Sequence, residues 1–148
     1  MTRMIIAAAL VLLTTIAVNA EPVMKKSPHS VSETMDRLAA AVESVGATVF
    51  ARIDHAKGAA SIGDELRPTE VMLFGRPRIG TPVIQANQAA GLDLPLRVVA
   101  FEDAEGQVYM QWHDPVGIAE EYGIRTDHPA IKTMAGVLGK LTDMAVAN

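Results

Sequence analysis

Two neighbouring segments in the middle of the chain constrain its fold more than any other feature. Residues 96–102 (LRVVAFE) and 107–113 (QVYMQWH) are rich in β-branched and aromatic residues. The four residues between them, DAEG, place a glycine late in a short loop, which is typical of a hairpin turn. Because side chains alternate between the faces of a strand, Val108, Met110 and Trp112 share one face. The pattern predicts an antiparallel hairpin with that face in the core.

The remaining segments alternate between helical and strand patterns in an irregular order, with single Gly and Pro residues between them. The predicted strands are residues 48–54 and 70–74, with a short edge strand near residues 22–26. The predicted helices are residues 30–45, 81–90, 116–122 and 127–146, and residues 55–63 form a short helix or an ordered loop. This order predicts an α+β domain of two layers, with a largely antiparallel sheet and helices packed on one face.

Helix starts and glycines give two finer expectations. Thr81 is a good helix cap and Pro82 suits the first helical position, so the third helix is predicted to begin there. In the last helix, Gly136 and Gly139 form a pair that allows close approach of another element. That pair makes the last helix a candidate dimer face.

The first twenty residues fit the pattern of a cleavable export signal. Arg3 gives a positive start, residues 4–18 form an apolar run, and small residues at Val18 and Ala20 precede the expected cut. A membrane-spanning helix needs about 20 apolar residues, so this run is short for one, although an uncleaved anchor is the alternative. We expect a single mature domain over residues 21–148, periplasmic or secreted, with no stable membrane anchor after cleavage.

Composition excludes several classes of function. The chain has no cysteine, which rules out disulfides, thiolate catalysis, zinc–cysteine sites and iron–sulfur clusters. Its formal net charge of −4 is a poor match for nucleic acid, which proteins hold mainly by neutralising phosphates. No metal-ligand or cofactor motif occurs, so neither a metal nor a cofactor is predicted. A hydrophobic core must then supply the stability of the domain.

A candidate anion site lies around Pro77. Arg76 and Arg78 bracket this proline shortly before Thr81, where the next helix is expected to start. Guanidinium groups beside free helix N–H groups can hold a phosphate, sulfate or carboxylate. The segment FGRPRIGTP lacks the glycine spacing and the lysine of a P-loop. The alternative is that both arginines are solvated or paired with surface acids.

A second candidate site is a pair of His/Asp couples at predicted strand ends. Asp54 and His55 follow one strand, and His113 and Asp114 end another. Imidazoles and carboxylates suit a general base or a metal. No HxH, HxxxH or HExxH spacing connects them. The alternative is that both aspartates cap local structure and both histidines are ordinary polar positions.

Four short motifs carry a resemblance to a known family. FGRP at residues 74–77, GTP at 80–82, LP at 94–95 and DP at 114–115 follow in this order. With them the chain resembles the family called domain of unknown function 302 over nearly all of its expected mature length. The resemblance implies a small α+β fold that commonly pairs as a homodimer, often behind a signal peptide, and no established activity. Some members carry a cysteine after the Leu-Pro, where this chain has Leu96, so a thiol role is absent.

Three hypotheses about function follow. The first is a non-catalytic exported module, pairing as a homodimer, that binds a small molecule or an anion near Arg76, Arg78 and Thr81. The second is a small metal-assisted hydrolase that uses Asp54, His55, His113 and Asp114. The third is a structural or interaction domain that pairs through its last helix. The sequence names neither a substrate nor a partner protein.

Overall fold

Five strands and five α-helices make up residues 22–148, the part of the chain that the computed structural model describes. The predicted signal segment lies outside these residues. The strands are Val23–Ser27 (β1), Thr48–Asp54 (β2), Thr69–Gly75 (β3), Leu96–Glu102 (β4) and Val108–Trp112 (β5). The helices are Val31–Ser44 (α1), His55–Ser61 (α2), Pro77–Ala86 (α3), Pro115–Glu121 (α4) and Pro129–Val146 (α5), and a 3-10 turn spans Gln88–Leu92. All strand pairs are antiparallel, in the order β1-β5-β4-β3-β2, which confirms the predicted α+β fold.

The predicted hairpin is β4 and β5, and its turn is built as the composition requires. Gly106 has a φ of +82°, a left-handed conformation that side chains disfavour. The Asp103 carboxylate accepts hydrogen bonds from the backbone N–H groups of Glu105 and Gln107, at 3.0 and 2.8 Å. The turn therefore sets the register in which Val99 faces Gln111.

One face of the sheet, called the covered face below, lies under the helices. Helix α1 lies against β2, β3 and β4, helix α5 contacts β1, and the two helices pack on each other. Met72, Val98 and Met110 on this face have no exposed surface. One side of α5 is also buried, from Ile131 to Ala145. The core thus forms between one face of the sheet and the α1–α5 layer.

The opposite face of the sheet, called the open face below, is also largely apolar. One row across all five strands contains Ile53, Val71, Val99, Gln111 and Met24. Neighbouring rows add Leu73, Phe101 and Tyr109, and the last two rings stack with centroids 5.8 Å apart. Most of these side chains are only half-buried, and Ile53 and Met24 are exposed.

Helix α3 begins four residues before the predicted start. Arg76, in extended conformation, is its N-cap and Pro77 is its first residue, so Thr81 does not cap it and Pro82 lies inside it. Proline fits the first turn because its missing N–H has no partner there in any helix. Pro77 and Pro82 both satisfy local rules, and the earlier one begins the helix. The helix ends at Ala86 rather than at the predicted residue 90, and the separate 3-10 turn Gln88–Leu92 follows it.

The glycines of α5 do not mark a close approach within the described part of the chain. A Cβ placed on Gly136 or Gly139 would meet no atom within 4 Å among residues 22–148. The prediction that this pair admits a neighbouring element is therefore wrong for the packing of the described residues. Their cost is the usual loss of helix propensity, about 1 kcal/mol each relative to alanine.

The two edges of the sheet are irregular. Edge strand β1 has five residues, contains Lys25 and Lys26, and lies between Pro22 and Pro28. At the other edge, the register of β2 against β3 shifts between Val49 and Ala51, which is a β-bulge at Phe50. In residues 22–148, no helix is long and apolar enough to cross a lipid bilayer.

Candidate functional site

Arg76 and Arg78 lie at the junction between β3 and α3. Strand β3 ends at Gly75, the chain stays extended through Arg76, and α3 then starts at Pro77. Both arginine side chains are exposed, and Thr81 is exposed one turn into the helix. The structure brings Arg76 and Thr81 to the rim of one cavity, whereas Arg78 does not line it.

These two arginines differ from the other five in the described residues. Within residues 22–148, each of the five donates a hydrogen bond to a carboxylate or a backbone carbonyl, and the five are Arg37, Arg52, Arg67, Arg97 and Arg125. Neither Arg76 nor Arg78 has such a bond or a salt bridge in that range. The alternative in which surface acids neutralise them is therefore not what the described residues form.

The cavity, called the end pocket below, is a half-open cleft between α3, α5 and the end of the sheet where β3 finishes and β4 begins. Its volume is about 320 Å³, within the size range of small-molecule sites. The lining residues are Ala47, Phe50, Phe74, Gly75, Arg76, Pro77, Ile79, Gly80, Thr81, Ile84, Leu94, Pro95, Leu96, Met134, Val137 and Leu141. The lining is almost wholly apolar, so the pocket favours an apolar ligand or an apolar part of one.

Gly46 gives the Arg76 side chain its position beside the pocket. A Cβ on Gly46 would lie 3.1 Å from Arg76 Nη2, so the guanidinium lies across the turn that leads into Ala47. Gly46 also has a φ of +69°, which a side chain would strain. Both facts make glycine the fitting residue at this turn, and its lack of a side chain leaves space for the guanidinium.

The two His/Asp couples do not meet. Asp54 pairs with Glu70, Glu70 with Ala100 and Ala100 with Met110, so Asp54 is level with Met110, three residues before His113. Strands β2 and β5 are also three inter-strand spacings apart, about 14 Å. No group of three or more His, Asp or Glu side chains among residues 22–148 could hold a metal. The shared site that the hydrolase hypothesis requires is not formed.

Both aspartates of these couples act as helix caps. Asp54 caps α2 by accepting a hydrogen bond from the Lys57 N–H at 2.9 Å, and this bond is the main cause that lowers the Asp54 pKa. Asp114 caps α4 by accepting a bond from the Val116 N–H at 2.9 Å. Capping satisfies backbone donors that a helix leaves free at its start. This agrees with the alternative stated for both residues from the sequence.

In two further polar clusters, the side chains form hydrogen bonds with one another. Arg52 donates to Glu70 and to Asp36, and the hydrogen bond to Glu70 is the main cause that raises the Arg52 pKa. Tyr122 donates its hydroxyl to Asp93, which raises the Tyr122 pKa to about 12. Arg52, Glu70, Tyr122 and Asp93 are therefore held by partners within the described residues.

Residues at the rim of the end pocket were predicted from the sequence, whereas most residues of its wall were not. The prediction named Arg76 and Thr81, yet Phe50, Leu94 and Val137 come from three other segments of the chain. One signal was visible: Val137 stands three residues after Met134 and four before Leu141, on the same side of α5. A single helical stripe cannot show which of its residues face a cavity.

Comparisons with known proteins give a family and a fold. The model of the family described as Domain of unknown function DUF302 matches residues 23–142. In a crystal structure of an uncharacterized conserved DUF302 protein from Bacillus stearothermophilus, 94% of the chain superposes on 84% of this one. The TM-score is 0.66 and the sequence identity is 17%, so that likeness concerns the fold.

Curated relatives carry the name of a channel. The proteins named Fluoride-specific ion channel FluC 1 from Brucella suis and from Brucella abortus are each 42% identical to this chain over 125 residues. The match covers 83% of this chain, 49% of the Brucella suis protein and 46% of the Brucella abortus protein. The chain therefore spans about half the length of the curated relatives it matches.

Proposed function

This chain belongs to the DUF302 family, which is defined without an activity, and on that premise we propose that its domain is a non-catalytic module that binds a small molecule in the end pocket. The observation that carries the proposal is the pocket itself, an apolar cavity of about 320 Å³ with one guanidinium at its rim. Ligand sites commonly combine apolar walls with a few polar groups that orient the ligand.

The apolar walls define what the pocket gains from a ligand. Phe50, Ile84 and Val137 are exposed or half-buried, and a ligand would remove more of their surface from water. Each buried methylene group of the ligand contributes about 0.8 kcal/mol. An apolar ligand of modest size therefore gains free energy by binding here. No reaction of the ligand is needed for that gain.

A pocket-filling substitution tests this proposal. Decanol is titrated into the wild-type protein, into Val137→Trp and into the control Met144→Trp, which lies on the same helix outside the pocket. At 100 times its Kd, decanol adds about 2.7 kcal/mol of stability to the wild type, roughly a 10 °C rise in melting temperature. We expect the control to keep this rise and Val137→Trp to lose it. Equal rises in both variants would show that decanol binds elsewhere.

Export to the periplasm or the exterior remains part of the proposal. Its support is the pattern of residues 1–20, which the structure does not describe. Mass spectrometry of the protein recovered from its host reads the first residue directly. We expect Glu21, and a chain that starts at Met1 would contradict export by cleavage.

Because the Brucella relatives are named as fluoride-specific channels, fluoride is also tested in the decanol assay. Fluoride is small and strongly hydrated, so an apolar cavity offers it little compensation for the water that it would lose. We therefore expect fluoride not to displace decanol from the end pocket. Displacement would give the pocket a role in binding fluoride instead.

We also propose that the domain pairs with a second copy of itself through the open face. An antiparallel sheet with one face in water usually carries polar residues there, whereas this face carries Val71, Leu73, Val99 and Phe101. The face measures about 500 Å² by strand spacing and rise, so two copies would bury about 1,000 Å², the threshold for a biological interface and below the roughly 1,200–2,000 Å² of stable ones.

The charges on the open face permit this pairing. Arg97 lies in the central rows of the open face. The Nη2 atom of Arg97 bonds the Asp93 carboxylate at 2.5 Å. Lys26 lies at the margin, with its Nζ atom 5.9 Å from the centre of the Tyr109 ring. Because Arg97 is neutralised within its own chain, its charge does not oppose a second copy related by a twofold axis.

A further inference from the structure

We infer that the ligand of the end pocket is a single-chain amphiphile with an anionic end group, and that Arg76 selects it. This inference rests on the proposed function and adds the chemical class of the ligand. Three observations support it: the charge at the pocket, the absence of a partner for that charge, and the apolar walls.

Arg76 is the one ionisable side chain that lines the end pocket in the described part of the chain. No carboxylate lines the pocket, so a cationic ligand would meet a like charge and no acid. The Thr81 hydroxyl is the other polar side-chain group on the rim. A ligand that fits this arrangement has one negative end group and no other charge.

The Arg76 guanidinium has unused hydrogen-bonding capacity. It makes no salt bridge or side-chain hydrogen bond within residues 22–148. A guanidinium presents five N–H donors in a planar fork that matches the two oxygens of a carboxylate. Arg76 lines the pocket, and its Nη2 atom lies against the turn at Gly46, next to the pocket residue Ala47.

The interior of the pocket favours an alkyl chain as the body of the ligand. Phe74, Ile84, Leu94 and Leu141 offer no side-chain donor or acceptor. A sugar or a nucleotide would leave several polar groups without partners there, and each would cost free energy. An alkyl chain has no such groups.

The test compares decanoate with decanol by titration calorimetry on wild type, Arg76→Gln and Arg78→Gln. Arg78 is a matched control because it lies two residues away, carries the same charge and does not line the pocket. We expect the wild type and Arg78→Gln to bind decanoate at least about tenfold tighter than decanol, as a charge-assisted hydrogen bond would produce. Arg76→Gln should bind both equally, with decanol affinity unchanged. Lengthening octanoate to nonanoate should tighten binding about fourfold.

The outcomes separate the two proposals. If decanol binds the pocket but decanoate gains nothing over it, the anionic class is wrong and the binding function stands. If neither binds, the proposed function itself fails. If Arg78→Gln loses as much decanoate affinity as Arg76→Gln, the preference arises from the general field of the loop and the assignment to Arg76 is overturned.

Discussion

The two faces of the sheet are made of similar residues but have different surroundings. Val98 and Val99 are neighbours in β4, and their side chains point to opposite faces. Val98 has no exposed surface beneath the helical layer, whereas Val99 is half-buried on the open face. The chain therefore completes one apolar face with its own helices and leaves the other uncovered within residues 22–148. An apolar side chain on a strand thus predicts burial, but it does not predict whether the covering surface belongs to the same chain.

The largest expected effect separates these two valines. Val98→Asp places an unpaired carboxylate in the core, at a cost of more than about 4 kcal/mol out of a total stability of about 5–15 kcal/mol. Val99→Asp should leave the domain folded but prevent it from pairing. Urea unfolding followed by circular dichroism measures the first effect, and sedimentation at micromolar concentration measures the second. A Val99→Asp variant that sediments as a dimer would exclude the open face as the interface.

The next effect in size is the stability lost when the ion pair on each face of the sheet is broken. Glu70, on the covered face, bonds Arg52, and its side chain is 12% exposed. Glu70→Ala should cost about 2 kcal/mol, less than for a fully buried pair, because Arg52 is partly exposed and keeps Asp36. Arg97→Ala, which removes the more exposed partner of the Arg97–Asp93 pair, should cost less, about 1 kcal/mol, because Asp93 keeps its hydrogen bond from Tyr122. Equal losses in urea unfolding would mean that removing a buried carboxylate costs no more than removing an exposed guanidinium.

The smallest effect tests whether the domain pairs through α5 instead of through the open face. Because a Cβ at Gly136 meets no described atom, Gly136→Ala should stabilise the fold by about 0.5–1 kcal/mol through helix propensity. Pairing through the open face should be unaffected. If Gly136→Ala weakens the dimer in sedimentation, α5 is the interface and the open face is not.

The elements with strong local patterns were predictable from the sequence. Strand β2 has the predicted bounds, the hairpin arms differ from theirs by a residue at most, and Asp114 caps α4 as expected. The start of α3 was not predictable, since two prolines five residues apart both satisfy the same local rule. What decides between them is the end of β3 at Gly75, which depends on pairing with β2 and β4.

The candidate site was predictable only at its rim. Arg76 stood out as a charge beside a turn, but the pocket wall joins segments from Ala47 to Leu141. No pattern along the chain reports that such distant residues enclose a cavity. The open face was indicated in the sequence, because the runs VMLF (71–74) and VVAF (98–101) are apolar at consecutive positions. Such runs are typical of strands that are covered on both faces.

The irregular edges of the sheet limit how these molecules can associate. Lysines and flanking prolines on β1, and the bulge in β2, oppose the addition of a further strand from another chain. The proposed face-to-face pairing would cover the open face, the broad apolar surface of residues 22–148, and would stop at two copies. A concentrated solution of this protein should therefore accumulate discrete particles, and growth into fibrils by lateral strand addition is disfavoured.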